Sequence, residues 1–169
     1  MSHTEDTHEL VGEPAPAIAA PNVGAGPDRF DFDALDDETD AVVLVLMRDY
    51  YCTKCQAQAD RLADRYEAFR ERGAEVVAVL PEPTDRARGW ADVPYPLLAD
   101  PEKAFAEGYD QPTKYGALGK LSDFAGRMPE AVVVDITDDP EIAYVHQGDG
   151  FGDRPSEAEL LEVVDEVAA

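Results

Sequence analysis

A chain of 169 residues with 37 acidic and 14 basic side chains carries a formal charge of -23. That balance excludes nucleic acid as a partner, because phosphate contacts need clustered Lys and Arg and this surface repels a polyanion. The length suits one domain with a sizeable core, no stretch is long and apolar enough for a transmembrane helix, and Met1-Ser2-His3-Thr4-Glu5-Asp6 lacks a basic n-region and an apolar h-region, so a cytoplasmic protein with no membrane attachment is expected.

Residues 1–10 read as a flexible acidic tail, and residues 11–169 as a single domain. To about Asp28 the chain is rich in Pro, Ala and Gly without periodicity, which predicts an extended segment. Residues 41–47, Ala-Val-Val-Leu-Val-Leu-Met, predict a central strand buried on both faces. Cys52-Thr53-Lys54-Cys55 follows, and then Cys55, Ala59, Leu62, Tyr66 and Phe69 recur at spacings of four and three, a helix of about five turns ending at Gly73 as its C′ residue. Glu75 to Leu80 gives a second buried strand, so strand, helix and strand form a right-handed βαβ unit with parallel strands. Thr84 caps a short helix toward Trp90, and Asp100-Pro101 starts another. Residues 109–128 read as a loop excursion. Ala131 to Ile136 and Ile142 to His146 form an antiparallel hairpin about Thr137-Asp138-Asp139-Pro140. Ser156 with Glu159 makes a capping box for a last helix whose apolar face is Leu160, Val163, Val164 and Val167.

Cys52 and Cys55 are the only cysteines, placed where a strand ends and a helix begins. A thiolate there meets unpaired backbone N–H groups and the positive end of the helix dipole, and Lys54 adds a cation beside it. Two cysteines at this spacing can close a disulfide with little backbone movement and so cycle between redox states. Other readings are half of a zinc site, a structural disulfide, or two buried thiols packing as small hydrophobes. Zinc would need further ligands, and the histidines are His3 and His8 in the polar tail and His146. A lone CxxC in a reducing cytosol is more often catalytic than structural.

The order β-α-β, linking helix, β-β-α with CxxC at the first helix resembles the thioredoxin fold: an α/β three-layer sandwich, its central mixed sheet flanked by helices, here with an N-terminal extension. Pro129, ahead of the Ala131 to Asp135 strand, stands where that fold carries a cis-proline facing the dithiol. Val11-Gly12-Glu13-Pro14-Ala15-Pro16, Ala20-Pro21-Asn22, Tyr95-Pro96-Leu97-Leu98-Ala99-Asp100-Pro101 and Lys114-Tyr115-Gly116 are similar to segments of the peroxiredoxin-like branch, the alkyl hydroperoxide reductase and thiol-specific antioxidant group. The departure from that group lies at its Pro-x-x-x-Thr/Ser-x-x-Cys motif, where this chain has Val45 and Asp49. An acidic side chain close to the sulfur would oppose thiolate formation. Arg48 or Arg127 could supply the cation that the group uses to orient peroxide.

The resemblance implies that Cys52 attacks and Cys55 resolves, in a redox-active disulfide lined by Asp49, Tyr51, Lys54 and Pro129, with Tyr50 beside them. It implies no cofactor and no metal, a thioredoxin-type or small-thiol reductant, a peroxide or protein disulfide as substrate, and compatibility with a homodimer. The alternatives are a thioredoxin-like protein thiol-disulfide oxidoreductase and a copper-handling module using Cys52, Cys55 and His146, although the copper-handling relatives space their cysteines more widely. The dispersed acidic surface resembles that of proteins from salt-accumulating haloarchaea.

Overall fold

The computed structural model describes residues 8–17, 19–90, 92–114 and 126–168. Most of the acidic tail, Tyr115-Gly116 and the body of the 109–128 excursion therefore lie outside the described residues. The apolar run Ala41–Leu46 forms β3, with all six side chains buried, as a strand covered on both faces requires. It is the middle strand of a sheet ordered β5-β4-β3-β6-β7, where β4 is Ala74–Leu80, β5 Leu97–Ala99, β6 Glu130–Asp135 and β7 Glu141–Gln147. β3, β4 and β5 run parallel, and β6 is antiparallel to both β3 and β7.

Alternation along the strands splits the core in two. Val43, Val45 and Met47 face a cluster with Leu62 of α1 (Thr53–Asp64), Phe69 of α2 (Tyr66–Glu71) and Leu160 and Val164 of α5 (Glu157–Ala168). Val42, Leu44 and Leu46 face the other side, with Phe105 and Tyr109 in and after α4 (Ala104–Gly108) and Phe30 of β2 (Arg29–Phe30). The result is the three-layer α/β sandwich with a mixed sheet that the resemblance implies.

The N-terminal extension straps both sides of the sheet. Gly12 N donates to Ile142 O at 2.8 Å, and Ile142 N to Glu13 O at 2.9 Å, against the start of β7. The chain then forms β1 (Ala20–Pro21), which pairs with β2, and Val23 N donates to Leu97 O at 2.9 Å on β5. Asn22 fixes this turn, donating to the carbonyls of Ala25 and Pro27 and accepting from Gly24 N and Leu97 N. Gly24 is required by close approach, since a Cβ there would lie 2.7 Å from Leu97 N.

Three local expectations are corrected. The first helix does not run unbroken to Gly73: it breaks at Arg65, whose N–H reaches back to the carbonyls of Arg61 and Leu62 in a tightened turn. The reset lets Tyr66 hydrogen-bond Glu75 on β4 at 2.8 Å while Phe69 is fully buried; Gly73, at φ +77, does end the pair of helices. The helix expected from Pro101 starts only at Ala104, with Asp100 capping it from a distance by accepting from Ala104 N and Phe105 N at 2.9 Å, and Leu97–Ala99 ahead of it is an edge strand that Pro94 and Pro96 mask in the sequence. The short helix α3 (Thr84–Ala87) starts after Pro83 without a side-chain cap. The Ser156–Glu159 capping box is present, Glu159 N donating to Ser156 Oγ at 3.1 Å.

Candidate active site

β3 delivers the chain to its end at Leu46, and Met47 N still pairs with Val79 O at 2.9 Å, so the turn Arg48–Tyr51 leaves the sheet from a fixed point. Cys52 is the N-cap of α1 in an extended conformation, and its Sγ accepts from Cys55 N at 3.2 Å, the hydrogen bond a Ser or Asp cap would make. Cys52 and Cys55 are joined in a disulfide with Cα atoms 5.2 Å apart. Cys52 is 4% exposed and Cys55 fully buried, so Cys52 is the less covered of the two. Arg48 N donates to Cys55 Sγ at 3.4 Å.

The guanidinium at the sulfurs belongs to Arg154, a residue that sequence reasoning passed over. Its Nη2 lies 3.0 Å from Cys55 Sγ and 3.5 Å from Cys52 Sγ, its Nη1 donates to Gln58 Oε1 at 2.5 Å, and its Nε to Phe151 O at 3.0 Å. Burial, and then the neighbouring Arg48 and Arg61, hold its pKa down to about 10, so it stays charged at neutral pH in a partly desolvated place. Charge-assisted hydrogen bonds to a thiolate are strongest in such a place. Arg154 sits in the loop between β7 and α5, tied by Gly148 N to Pro129 O at 2.9 Å, His146 to Asp153 at 3.0 Å and Asp149 N to Asp153 Oδ2 at 2.8 Å. The available signal was one Arg in the Gly- and Asp-rich run Gly148-Asp-Gly-Phe-Gly-Asp-Arg154, but nothing in the spacing ties it to residues about a hundred positions earlier.

The residues named from sequence divide. Arg48 is buried and donates through Nε to Arg127 O at 2.7 Å, its guanidinium 3.4 Å above the Phe151 ring; Arg127 donates to Gln111 at 3.2 Å. Asp49 is buried, but its Oδ1 accepts from Tyr51 N at 2.7 Å and shapes the turn, while Oδ2 has no hydrogen-bond partner among the described residues. Tyr51 is 60% exposed next to Cys52, with the Tyr50 ring edge-on to it at 5.1 Å. Lys54 lies on the exposed side of α1, where a Cβ at Gly152 would lie 3.6 Å from its Cδ. Pro129 lies against Gly148 and lines, with Gln58, His146 and Arg154, a small crevice beside the site. Its peptide bond is trans, which corrects the implied cis-proline. The trans form is the lower-energy one for X–Pro, and it leaves the Met128 and Pro129 carbonyls paired with Gln111 and Gly148. His146 is engaged with Asp153, and among the described residues no cluster of three metal-ligating side chains occurs.

The model of the AhpC/TSA family matches residues 11–138, most of the chain. The chain belongs to the AhpC/TSA family. No curated protein matches it. The fold of this family member is similar to that of Enterococcus faecalis AhpC (18% identity, 95% of each chain, TM-score 0.75). Reduced Plasmodium vivax 2-Cys peroxiredoxin is comparable (17%, 94% of this chain and 96% of that one, TM-score 0.73), as is peroxidoxin BcpB of Mycobacterium tuberculosis (19%, 95% and 97%, TM-score 0.71). The family match ends at residue 138, so Arg154 lies beyond it.

Proposed function

We propose that this AhpC/TSA member is a thiol-dependent oxidoreductase that reduces peroxides through a Cys52/Cys55 dithiol-disulfide cycle, residues 11–169 acting as one domain in the cytoplasm. The carrying observation is the Arg154 guanidinium within hydrogen-bond reach of both sulfurs, with Cys52 at the helix N-cap. In the reduced protein both features favour the Cys52 thiolate. That thiolate attacks one peroxide oxygen, the O–O bond breaks, and the second oxygen leaves as an alcohol or water after taking a proton. The Cys52 sulfenic acid is attacked by Cys55, the S–S bond forms, and water departs. The dithiol supplies the two electrons, so no organic cofactor enters. A thioredoxin-type protein or a small thiol restores it by exchange.

Asp49 accounts for the turn and replaces the hydroxyl usual in the family, so the guanidinium carries the larger share of peroxide orientation. The test is peroxide consumption by the reduced protein under single-turnover conditions. Loss in Cys52→Ser, with a persistent sulfenic acid in Cys55→Ser, supports the cycle; no consumption by the reduced wild type refutes it. Exposed Tyr51 beside Cys52 favours a second reading, direct exchange with a protein disulfide. Disulfide exchange without peroxide consumption would select that reading.

A further inference from the structure

Among the buried residues of α1, Cys55, Ala59 and Leu62 suit an apolar stripe and Gln58 does not. It is 1% exposed and three residues after Cys55, on the same face of the helix. A buried amide costs free energy unless it is hydrogen-bonded. The partner of Gln58 is Arg154, whose Nη1 donates to Oε1 at 2.5 Å while Nη2 of the same guanidinium lies 3.0 Å from Cys55 Sγ and 3.5 Å from Cys52 Sγ. A guanidinium has donors only, so the amide must turn its oxygen toward Arg154. The guanidinium is also a rigid planar fork, so a hold on Nη1 aims Nη2.

Gln58 is a neutral partner, although acids stand near Arg154 in the sequence. Each of those is engaged elsewhere: Asp153 with His146 at 3.0 Å and with Asp149 N at 2.8 Å, and Glu157 with Arg61 at 3.3 Å. Among the described residues no carboxylate lies within ion-pair distance of Arg154, and its other oxygen acceptor is the Phe151 carbonyl at 3.0 Å. The neighbouring charges that act on it are those of Arg48 and Arg61, both repulsive. A buried cation held by two neutral oxygens is not compensated, and the sulfurs are the groups that can compensate it once one of them ionises. A carboxylate at position 58 would make the same hydrogen bond and cancel the charge.

We propose that Gln58 is a positioning residue for the dithiol: its amide oxygen holds the Arg154 guanidinium against the sulfurs without neutralising it, so that the charge is kept for the thiolate formed on reduction. The proposal rests on the dithiol cycle above. Gln58 acts through Arg154. Without an acceptor at position 58 the guanidinium is free to leave the sulfurs; with a negative charge there it stays in place but is neutralised.

The test reads thiolate absorbance against pH in the reduced protein, with urea unfolding alongside. Gln58→Met removes the acceptor and keeps an unbranched side chain; it should raise the pKa of the reactive thiol by about one unit, part of what a hydrogen bond to a charged group contributes. Gln58→Glu should raise it by about one to two units, the effect of a carboxylate just beyond the guanidinium at an effective dielectric near 20. Because Gln58→Glu keeps the shape of the amide, it carries the test if methionine unfolds the domain. In Arg154→Met, where no guanidinium remains to be positioned, adding Gln58→Met should shift the thiol pKa no further. A full further shift in that background overturns the proposal. So does the pattern of a merely structural amide, lower stability in urea with an unchanged thiol pKa. None of these readouts needs a peroxide. Shifted pKa values in a protein that consumes no peroxide would uphold the role of Gln58 and refute the cycle, whereas peroxide consumption with unshifted variants would uphold the cycle and refute the role.

Discussion

Replacing Arg154 with methionine keeps an unbranched apolar stem and removes the guanidinium with its charge and donors. In the oxidised protein those donors face neutral disulfide sulfurs at 3.0 and 3.5 Å; on reduction they face a thiolate. A hydrogen bond to a charged group contributes about 1.5–3 kcal/mol, so Arg154→Met raises the pKa of the reactive thiol by about one to two units at 1.36 kcal/mol per unit. The same stabilisation acts on the reduced state alone, so its loss shifts the two-electron potential more negative by about 30–65 mV, at 30 mV for each 1.4 kcal/mol. Thiolate absorbance against pH gives the first quantity, and equilibration with a thiol/disulfide buffer the second. Lysine at this position should recover part of both. An unchanged thiol pKa and an unchanged potential in a folded Arg154→Met protein would refute the assignment of Arg154 to the sulfurs.

Glu130, buried on the opposite face of the sheet with one carboxylate oxygen lacking a hydrogen-bond partner among the described residues, has its pKa pushed up to about 8 by burial. The native state therefore holds a proton that the unfolded chain releases near its ordinary carboxylate pKa, and stability falls as pH rises from about 4.5 to 8. Glu130→Gln should remove that decline, visible as denaturation midpoints that differ less between pH 5 and pH 8.5 than those of the wild type. Tyr95 is fully buried and its hydroxyl donates to Ala59 O at 2.8 Å, so Tyr95→Phe should lower stability by about 1 kcal/mol in urea unfolding. With a charge of -23, the domain should gain thermal stability as salt rises to molar concentration, where the Debye length is about 3 Å; a melting temperature independent of salt would contradict this.

What could be read without coordinates was whatever local chemistry determines. The apolar run 41–46, the CxxC at a strand-to-helix junction, Gly73 and the Ser156–Glu159 box each declare themselves through neighbours a few residues away. The break at Arg65 did not, because no Gly or Pro marks it and it follows from where Tyr66 and Phe69 must meet the sheet. Nor did the strand Leu97–Ala99, too short to show alternation and framed by prolines. Arg154 was hidden for a different reason: its meaning comes from the packing of a loop onto a helix whose residues lie far away in sequence. Asp49 was legible as an anomaly, but its role in holding Tyr51 N needed the turn itself.

The strap from Gly12 to Ala25 has a bearing on how copies of this chain can associate. An uncovered strand edge is a template for another chain, the route to fibres and to sheets continued across two molecules. Here one stretch of backbone occupies the outer side of β5 and the beginning of β7, with Pro14 bridged to Glu141 and Asn22 to Leu98. Growth of the sheet through β5 would first require residues 22–25 to peel away, and the stretch of β7 open to a second chain is shortened. An assembly that continues the sheet without local unfolding is left with the far end of β7, and a variant lacking the first 25 residues would bare main chain on both sides of the sheet at once.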